Sequence, residues 1–187
     1  DYRNIVLAPA SVQELADLTL LAFDLADRYR MVAMVLGDGY LGQMSEPLVL
    51  PSPSGLGFDK SGWALSGAAG RERRIVYSLR LSPEDAVERI NLRLQARYRE
   101  AEAAECRFQN DRTEDAEVLL VAFGLAARVC RAAVQRLRGQ GVRAGLFRPI
   151  TLWPFPGRQL AEAAACARRV LVVEMNAGQM LEGVRLA

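Results

Sequence analysis

Residues 5–14 read Ile-Val-Leu-Ala-Pro-Ala-Ser-Val-Gln-Glu. The apolar run at the start of this stretch, closed by a proline, is typical of a short buried strand. Ser11 stands three residues before Glu14, which is a capping box and predicts that a helix begins there. Apolar residues then recur at helical spacing as far as Tyr29, and a second apolar run follows at 32–36. Strand, helix and strand in this order predict a βαβ crossover and therefore a parallel sheet.

A second α/β unit is predicted at the other end of the chain. It alternates apolar runs with helix-like segments, giving strands at 118–123, 142–147 and 170–173 and helices at 126–137, 157–167 and from Gly178 onward. Alternating strands and helices at this spacing predict a doubly wound parallel sheet.

The segment between the two units is predicted to be a connector. Its first part is rich in proline and glycine and shows little periodicity, which is typical of a loop. Residues 82–85, Ser-Pro-Glu-Asp, combine an N-cap residue with a first-turn proline and acidic residues, and predict a long helix running to about Phe108. We therefore predict three regions, at 1–50, 51–114 and 115–187.

Composition excludes several classes of function. Of the 187 residues, 51% are apolar and 25% charged, which is typical of a folded protein. The formal net charge of +2 argues against a nucleic-acid or membrane-surface partner, because both rely on a field of one sign. Histidine is absent, which removes Ser-His and Cys-His nucleophiles. No apolar run approaches the roughly 20 residues that cross a bilayer.

The cysteines and the ends of the chain indicate where the protein resides. An odd number of widely spaced cysteines, Cys106, Cys130 and Cys166, is unlike a secreted disulfide framework, so we expect a cytoplasmic location. Their spacing matches no iron–sulfur pattern, and we expect them to fill the core. Because the chain lacks a starting methionine and stops inside a predicted helix, we expect it to be a piece of a longer polypeptide.

The triplet Gly37-Asp38-Gly39 closes the second predicted strand. It resembles the start of the metal-diphosphate motif of thiamine-diphosphate enzymes, in which the aspartate and a later asparagine are oxygen ligands of magnesium. Here the first later asparagine is Asn91, beyond the proline- and glycine-rich connector. We therefore expect a tight turn, whose glycines tolerate positive φ, and not a metal site.

Two further segments are predicted to follow strands at the same edge of the sheet. Residues 149–156 form a proline-stiffened stretch, in which Trp153 and Phe155 either cap the core or make a subunit interface. Residues 174–176, Glu-Met-Asn, close the last strand. The Glu174 carboxylate has three candidate partners there: a ligand, an arginine of another subunit, or a helix N-terminus.

Several stretches together resemble one family. They read Leu-Ala-Pro-Ala-Ser-Val-Gln-Glu at 7–14, Val-Leu-Gly-Asp-Gly-Tyr-Leu-Gly-Gln-Met at 35–44 with Glu-Pro at 46–47, Phe-Arg-Pro-Ile-Thr-Leu-Trp-Pro-Phe-Pro at 147–156, and Glu-Met-Asn-Ala-Gly-Gln-Met-Leu-Glu at 174–182. In this order they resemble the alpha subunit of the 2-oxoacid:ferredoxin oxidoreductases. The resemblance implies the end of a pyrimidine-binding domain followed by a transketolase C-terminal-like domain.

The resemblance also implies a reaction and partners. Enzymes of this family decarboxylate a 2-oxoacid oxidatively to an acyl-coenzyme A and pass the electrons to ferredoxin. A beta subunit is expected to hold most of the thiamine diphosphate with its magnesium, and an iron–sulfur cluster, with gamma and delta subunits as further candidates. The glutamate that activates the cofactor would lie upstream of Asp1, so we assign no catalytic, cofactor-binding or metal residue to this chain and expect it to bind no cofactor alone. Residues expected at interfaces are Asp38, Tyr40, Arg148, Trp153, Phe155, Glu174 and Asn176.

Two other interpretations remain open on the sequence. One is the beta subunit of a 2-oxoacid dehydrogenase complex, which has a similar C-terminal domain but usually a histidine just after the third strand, where this chain has Met175 and Asn176. The other is a non-catalytic interaction module, because an α/β sheet does not specify a function.

Overall fold

The computed structural model describes residues 3–53, 55, 57–67, 69–73, 75 and 83–187. Its elements are β1 (Ile5–Leu7), α1 (Val12–Tyr29), β2 (Ala33–Val35), a 3-10 turn (Leu41–Gln43), α2 (Ala86–Ala104), β3 (Phe108–Asp111), β4 (Val118–Ala122), α3 (Gly124–Gly139), β5 (Ala144–Pro149), β6 (Thr151–Trp153), α4 (Gly157–Ala164), β7 (Arg169–Val173) and α5 (Gln179–Leu186). Within the described residues, no helix combines the length and the apolar character needed to cross a membrane.

The first sheet has three strands in the order β2-β1-β6. β1 and β2 run parallel with Ile5 opposite Ala33, as the predicted crossover requires. Ser11 caps α1 by accepting a hydrogen bond from the Glu14 backbone N–H, so the predicted start of the helix is confirmed. The Glu14 carboxylate accepts from the backbone N–H of Ala10, the residue before the N-cap. The third strand, β6, pairs antiparallel with β1 and was not predicted, because its residues read as a proline-stiffened loop.

The second sheet has four strands in the order β3-β5-β4-β7. β5, β4 and β7 run parallel, whereas β3 pairs antiparallel with β5 at the edge. Side chains of β4 alternate between two cores: Leu120 and Ala122 pack against α3, whereas Leu119 and Val121 share a cluster with residues of α4 and α5. Helices on both faces of a mainly parallel sheet confirm the predicted α/β class.

The predicted connector helix differs from the structure at both ends. α2 begins at Ala86, with Asp85 at its N-cap and no side-chain capping bond, while the predicted cap Ser82 lies outside the described residues. The helix ends at Ala104 and not near Phe108. Phe108 starts the edge strand β3 and stacks on Phe147 of β5, with ring centroids 5.4 Å apart.

α2 packs against the first unit and is not a free connector. Ala101 is fully buried in the same cluster as Ile5 and Leu7 of β1. Tyr98 meets the Trp153 ring edge-on, with centroids 5.7 Å apart. The end of α2 and strand β6 therefore complete the core around the first sheet, although both lie beyond residue 50. The three-region division stays a prediction.

A buried carboxylate ties the ends of α1 and α2 together. Glu105 is 2% exposed and accepts hydrogen bonds from the Tyr29 hydroxyl (2.7 Å) and from Arg107 (2.5 Å). Burial works to raise the pKa of Glu105, but these bonds outweigh it and hold the pKa below its ordinary value. Burial and the bond to Glu105 raise the pKa of Tyr29 to about 12.

The cysteines only partly follow the prediction. Cys130 is buried in the core cluster on the α3 face of the second sheet, as expected. Cys106 is half-buried and Cys166 is exposed, so neither fills a core. All three are free thiols.

Candidate functional site

The carboxyl ends of β2, β4 and β7 open onto one cleft between the two units. One part of this cleft, about 190 Å³, is lined by Leu36, Gly37, Asp38, Phe123, Gly124, Ala126, Glu174, Met175 and Asn176. An adjoining part, about 390 Å³, shares Leu36, Phe123 and Asn176 and continues to Leu152, Phe155, Gln179, Met180 and Gly183. We call these two parts together the inter-unit cleft. It brings together four of the predicted interface residues, Asp38, Phe155, Glu174 and Asn176.

Asp38 joins the two units across this cleft. Its Oδ1 accepts a hydrogen bond from the Leu41 backbone N–H (2.9 Å), and its Oδ2 accepts one from the Leu125 backbone N–H (2.9 Å) at the start of α3. An aspartate at this position satisfies an unpaired helix N–H and opposes the positive end of the helix dipole.

The turn around Asp38 does not use the positive φ that its glycines would tolerate. Neither Gly37 nor Gly39 has a positive φ. The positive φ, +57°, lies instead at Gly124, across the cleft, where an added Cβ would sit 3.1 Å from Asp38 Oδ2. The contact of Asp38 with the start of α3 therefore requires a glycine at position 124. The local sequence around 37–39 does not reveal this requirement.

These residues do not fit a magnesium–diphosphate site. Each Asp38 oxygen already accepts a backbone N–H, and the described part of the chain contains no group of three aspartate, glutamate, cysteine or histidine side chains placed to hold a metal ion. A magnesium site needs several oxygen ligands around one point. The expectation that this chain alone binds no thiamine diphosphate stays a prediction.

Glu174 caps the last helix. Its Oε2 accepts from the Met180 backbone N–H (2.9 Å) and its Oε1 from that of Leu181 (3.1 Å). Of the three partners considered for this carboxylate, the structure shows the helix N-terminus. Asn176 fixes the intervening turn, because its Oδ1 accepts from the backbone N–H of Gly178.

The predicted aromatic residues differ in how much surface they offer. Trp153 is half-buried against the core of the first unit. Phe155 packs into the second core, and its ring lies 3.7 Å from the Cβ position of Gly183. Both therefore pack against a core, which agrees with one of the two predicted roles, and their place in a subunit interface stays a prediction. Tyr40 is 70% exposed and does not line the cleft, although it lies only two residues after Asp38 in the chain.

The predicted place of Arg148 at a subunit interface has to be corrected. Arg148 is 2% exposed and lies inside the chain, where its guanidinium pairs with both oxygens of Glu14 and donates to Gln109 Oε1 (3.1 Å). Burial works to raise the pKa of Glu14, but the bonds from Arg148 and from the Ala10 backbone N–H hold it below its ordinary value. A guanidinium on the buried strand β5 needs such a partner, which α1 supplies.

A second ion pair between the units was missed by sequence reasoning. Glu46 Oε2 accepts from the Val12 backbone N–H (2.9 Å), and Glu46 Oε1 accepts from Arg128 on α3 (2.7 Å). These two bonds hold the pKa of Glu46 below its ordinary value. Arg128 also donates to the Ala10 carbonyl (3.3 Å). The only sequence signal was the place of Glu46 in one of the family-like stretches.

Comparison with known proteins agrees with this architecture. Residues 1–104 match the family model described as pyruvate flavodoxin/ferredoxin oxidoreductase, thiamine diphosphate-binding. The chain belongs to this oxidoreductase family. Residues 116–187 match the model of the pyruvate:ferredoxin oxidoreductase core domain II. The two matches confirm the resemblance to the 2-oxoacid:ferredoxin oxidoreductases.

Curated members of the family are similar along the whole chain. The ketoisovalerate oxidoreductase subunit VorB of Methanothermobacter thermautotrophicus is 44% identical over 187 residues, covering 100% of this chain and 53% of that protein. The 2-oxoglutarate synthase subunit KorA of Methanothermobacter marburgensis is 33% identical over 210 residues, covering 99% and 56%. The chain thus spans about half the length of the curated relatives it matches.

A solved structure shares the fold. It is the 2-oxoglutarate:ferredoxin oxidoreductase of Magnetococcus marinus with 2-oxoglutarate, coenzyme A and succinyl-CoA bound, which aligns with a TM-score of 0.77 at 22% identity. The alignment covers 98% of this chain and 37% of that one. Both units of the chain therefore occur together in one chain of that structure.

Proposed function

We propose that this chain is part of the alpha subunit of a thiamine-diphosphate-dependent 2-oxoacid:ferredoxin oxidoreductase. The enzyme converts a 2-oxoacid and coenzyme A to carbon dioxide and an acyl-coenzyme A, and passes two electrons to ferredoxin. The observation that supports this function is the succession of two models of this family, at 1–104 and 116–187, along one chain. The dehydrogenase-complex and non-catalytic interpretations lack such support.

The contribution of this chain is structural. Its described residues do not fit a magnesium–diphosphate site, and Asp38 and Glu174 use their carboxylates to hold α3 and α5 in place. A beta subunit holds most of the thiamine diphosphate with its magnesium, and an iron–sulfur cluster. This chain supplies the two-unit scaffold and the surface against which that subunit packs.

The proposed substrate is the branched 2-oxoacid ketoisovalerate. Two relatives named as ketoisovalerate oxidoreductase subunits are 44% and 43% identical to this chain, whereas those named as 2-oxoglutarate synthase subunits are 31–33% identical. An apolar branched side chain and a second carboxylate make opposite demands on a pocket, so one enzyme discriminates strongly between them.

The activity is tested on the full-length protein purified with its accompanying subunits. The assay is 2-oxoacid-dependent reduction of ferredoxin in the presence of coenzyme A. We expect kcat/KM for ketoisovalerate to exceed that for 2-oxoglutarate by at least about tenfold. The opposite order would refute the substrate, and absence of reduction with every 2-oxoacid would refute the reaction.

The rim of the inter-unit cleft is proposed as the subunit contact. Tyr40 and Met175 are 70% and 60% exposed, and Met175 lines the cleft while Tyr40 follows the cleft residue Asp38 in the chain. A large exposed aromatic side chain of this kind often dominates an interface. Tyr40→Ala should weaken association with the beta subunit about tenfold, as measured by analytical ultracentrifugation. The matched control is Phe23→Ala, which removes an aromatic of 69% exposure from a different surface, where it lies beside Ala33 and Val35 of β2. Equal effects of the two substitutions would contradict this contact.

A further inference from the structure

Three carboxylates of the first unit share an unusual arrangement. Asp38, Glu14 and Glu46 each satisfy a backbone N–H of their own unit and at the same time bind the second unit. Asp38 accepts from the Leu41 N–H in the first unit and from the Leu125 N–H in the second. Glu14 accepts from the Ala10 N–H in the first unit and from Arg148 in the second. Glu46 accepts from the Val12 N–H in the first unit and from Arg128 in the second.

These bonds converge on the start of α1 and the start of α3. Glu14 and Glu46 hold backbone N–H groups at Ala10 and Val12, only two residues apart. Arg128 pairs with Glu46 and also donates to the Ala10 carbonyl, so the same turn of chain is held from both sides. Arg128 lies on α3 one turn beyond Leu125, whose N–H binds Asp38. A shift of α3 would therefore disturb contacts to Asp38 and Glu46 together.

The charges of the bonded groups strengthen the contact between the two units. Arg148 is almost fully buried, and its only anionic partner in the described residues is Glu14. A buried guanidinium separated from its carboxylate is strongly unfavourable, so movement of β5 away from α1 is resisted. Hydrogen bonds to ionised groups are also shorter and stronger than neutral ones.

We propose that Asp38, Glu14 and Glu46 act as one carboxylate clasp that sets the orientation of the second unit and thereby the width of the inter-unit cleft. They are positioning residues, because the clasp acts on the walls of the cleft and not on a bound molecule. The inference does not depend on the proposed reaction, since every bond of the clasp lies within this chain.

The test is hydrogen–deuterium exchange on the full-length protein with its accompanying subunits. Glu46→Gln removes the charge pair with Arg128 but keeps an oxygen for the Val12 N–H. We expect the Leu125 amide, which Glu46 does not touch, to exchange about two- to fivefold faster, because the second unit has become less tightly held. Amides in the β4 core should exchange as before.

Two further variants complete the design. Arg128→Met removes the same ion pair and also the bond to the Ala10 carbonyl, so it should accelerate the Leu125 amide at least as much. Adding Glu46→Gln to Arg128→Met should bring no more than about a twofold further change, because the ion pair is already lost. The matched control is Glu162→Gln, which breaks the exposed pair between Arg158 and Glu162 within α4 and should leave Leu125 unchanged.

The proposal fails if the Leu125 amide exchanges at its original rate in both Glu46→Gln and Arg128→Met, because Glu46 would then be only a cap of α1. It also fails if β4 amides accelerate as much as Leu125, because the pair would then stabilise the second unit as a whole and not its junction with the first.

Discussion

Replacing Gly124 by alanine probes the contact between the two units at a single atom. Gly124 has φ +57°, in the left-handed region that residues with a Cβ rarely adopt. An added Cβ would lie 3.1 Å from Asp38 Oδ2, closer than ordinary contact, and 3.8 Å from the Pro9 carbonyl. Alanine therefore introduces backbone strain and also displaces the Asp38 carboxylate from the Leu125 N–H.

The two effects have separate magnitudes. Holding alanine at this φ costs about 1 kcal/mol of folding free energy. A hydrogen bond to an ionised group is worth about 1.5–3 kcal/mol, and a carboxylate pushed back by a few tenths of an ångström loses part of that, about 1 kcal/mol. The sum, about 2 kcal/mol, corresponds to a fall of roughly 4–8 °C in Tm for a protein of this size.

Urea denaturation measures the effect, and Gly141→Ala separates its two parts. Gly141 also has a positive φ, +84°, but no heavy atom lies within 4 Å of its Cβ position. This control should lose only the stability that the strained φ costs, about 1 kcal/mol. Both alanine variants gain equally from the smaller conformational entropy of the unfolded chain. In an Asp38→Ala background the difference between the two alanine variants should disappear. Equal losses for Gly124→Ala and Gly141→Ala in the native background would refute the proposed contact.

Further predictions concern packing and pH. Gly145→Ala should lower the free energy of unfolding by about 1–3 kcal/mol, because its Cβ would lie 2.5 Å from the Arg112 backbone carbonyl oxygen. Gly139→Ala has open space around its Cβ position and should raise the free energy of unfolding by about 0.5 kcal/mol. Urea denaturation of both variants checks this. Acid should weaken the junction between the units. The pKa values of Glu14 and Glu46 are lowered on folding, so their pairs contribute fully at neutral pH and lose that contribution as the pH falls through the lowered pKa values. Urea midpoints should therefore fall on acidification, and fall less steeply in Glu46→Gln; parallel curves would contradict this.

The local elements were predictable because their signals are local. The capping box at Ser11 and Glu14 marked the start of α1, and apolar runs marked the parallel strands on either side of it and in the second unit. The edge strands β3 and β6 were not predictable in the same way. Phe108–Asp111 has no alternating pattern, and it becomes a strand only because β5 offers a free edge to pair with.

The amino-acid sequence alone determined the alternation of helices with the parallel strands, the α/β class and the family, because these depend on short patterns and on motifs read along the chain. Only the tertiary structure decided what the charged residues do. Glu14 and Arg148 are 134 residues apart, and nothing near either one specifies the other. Their pairing, like that of Asp38 with the Leu125 N–H, depends on how two separate sheets are placed against each other. That placement follows from the packing of both cores and has no local signal.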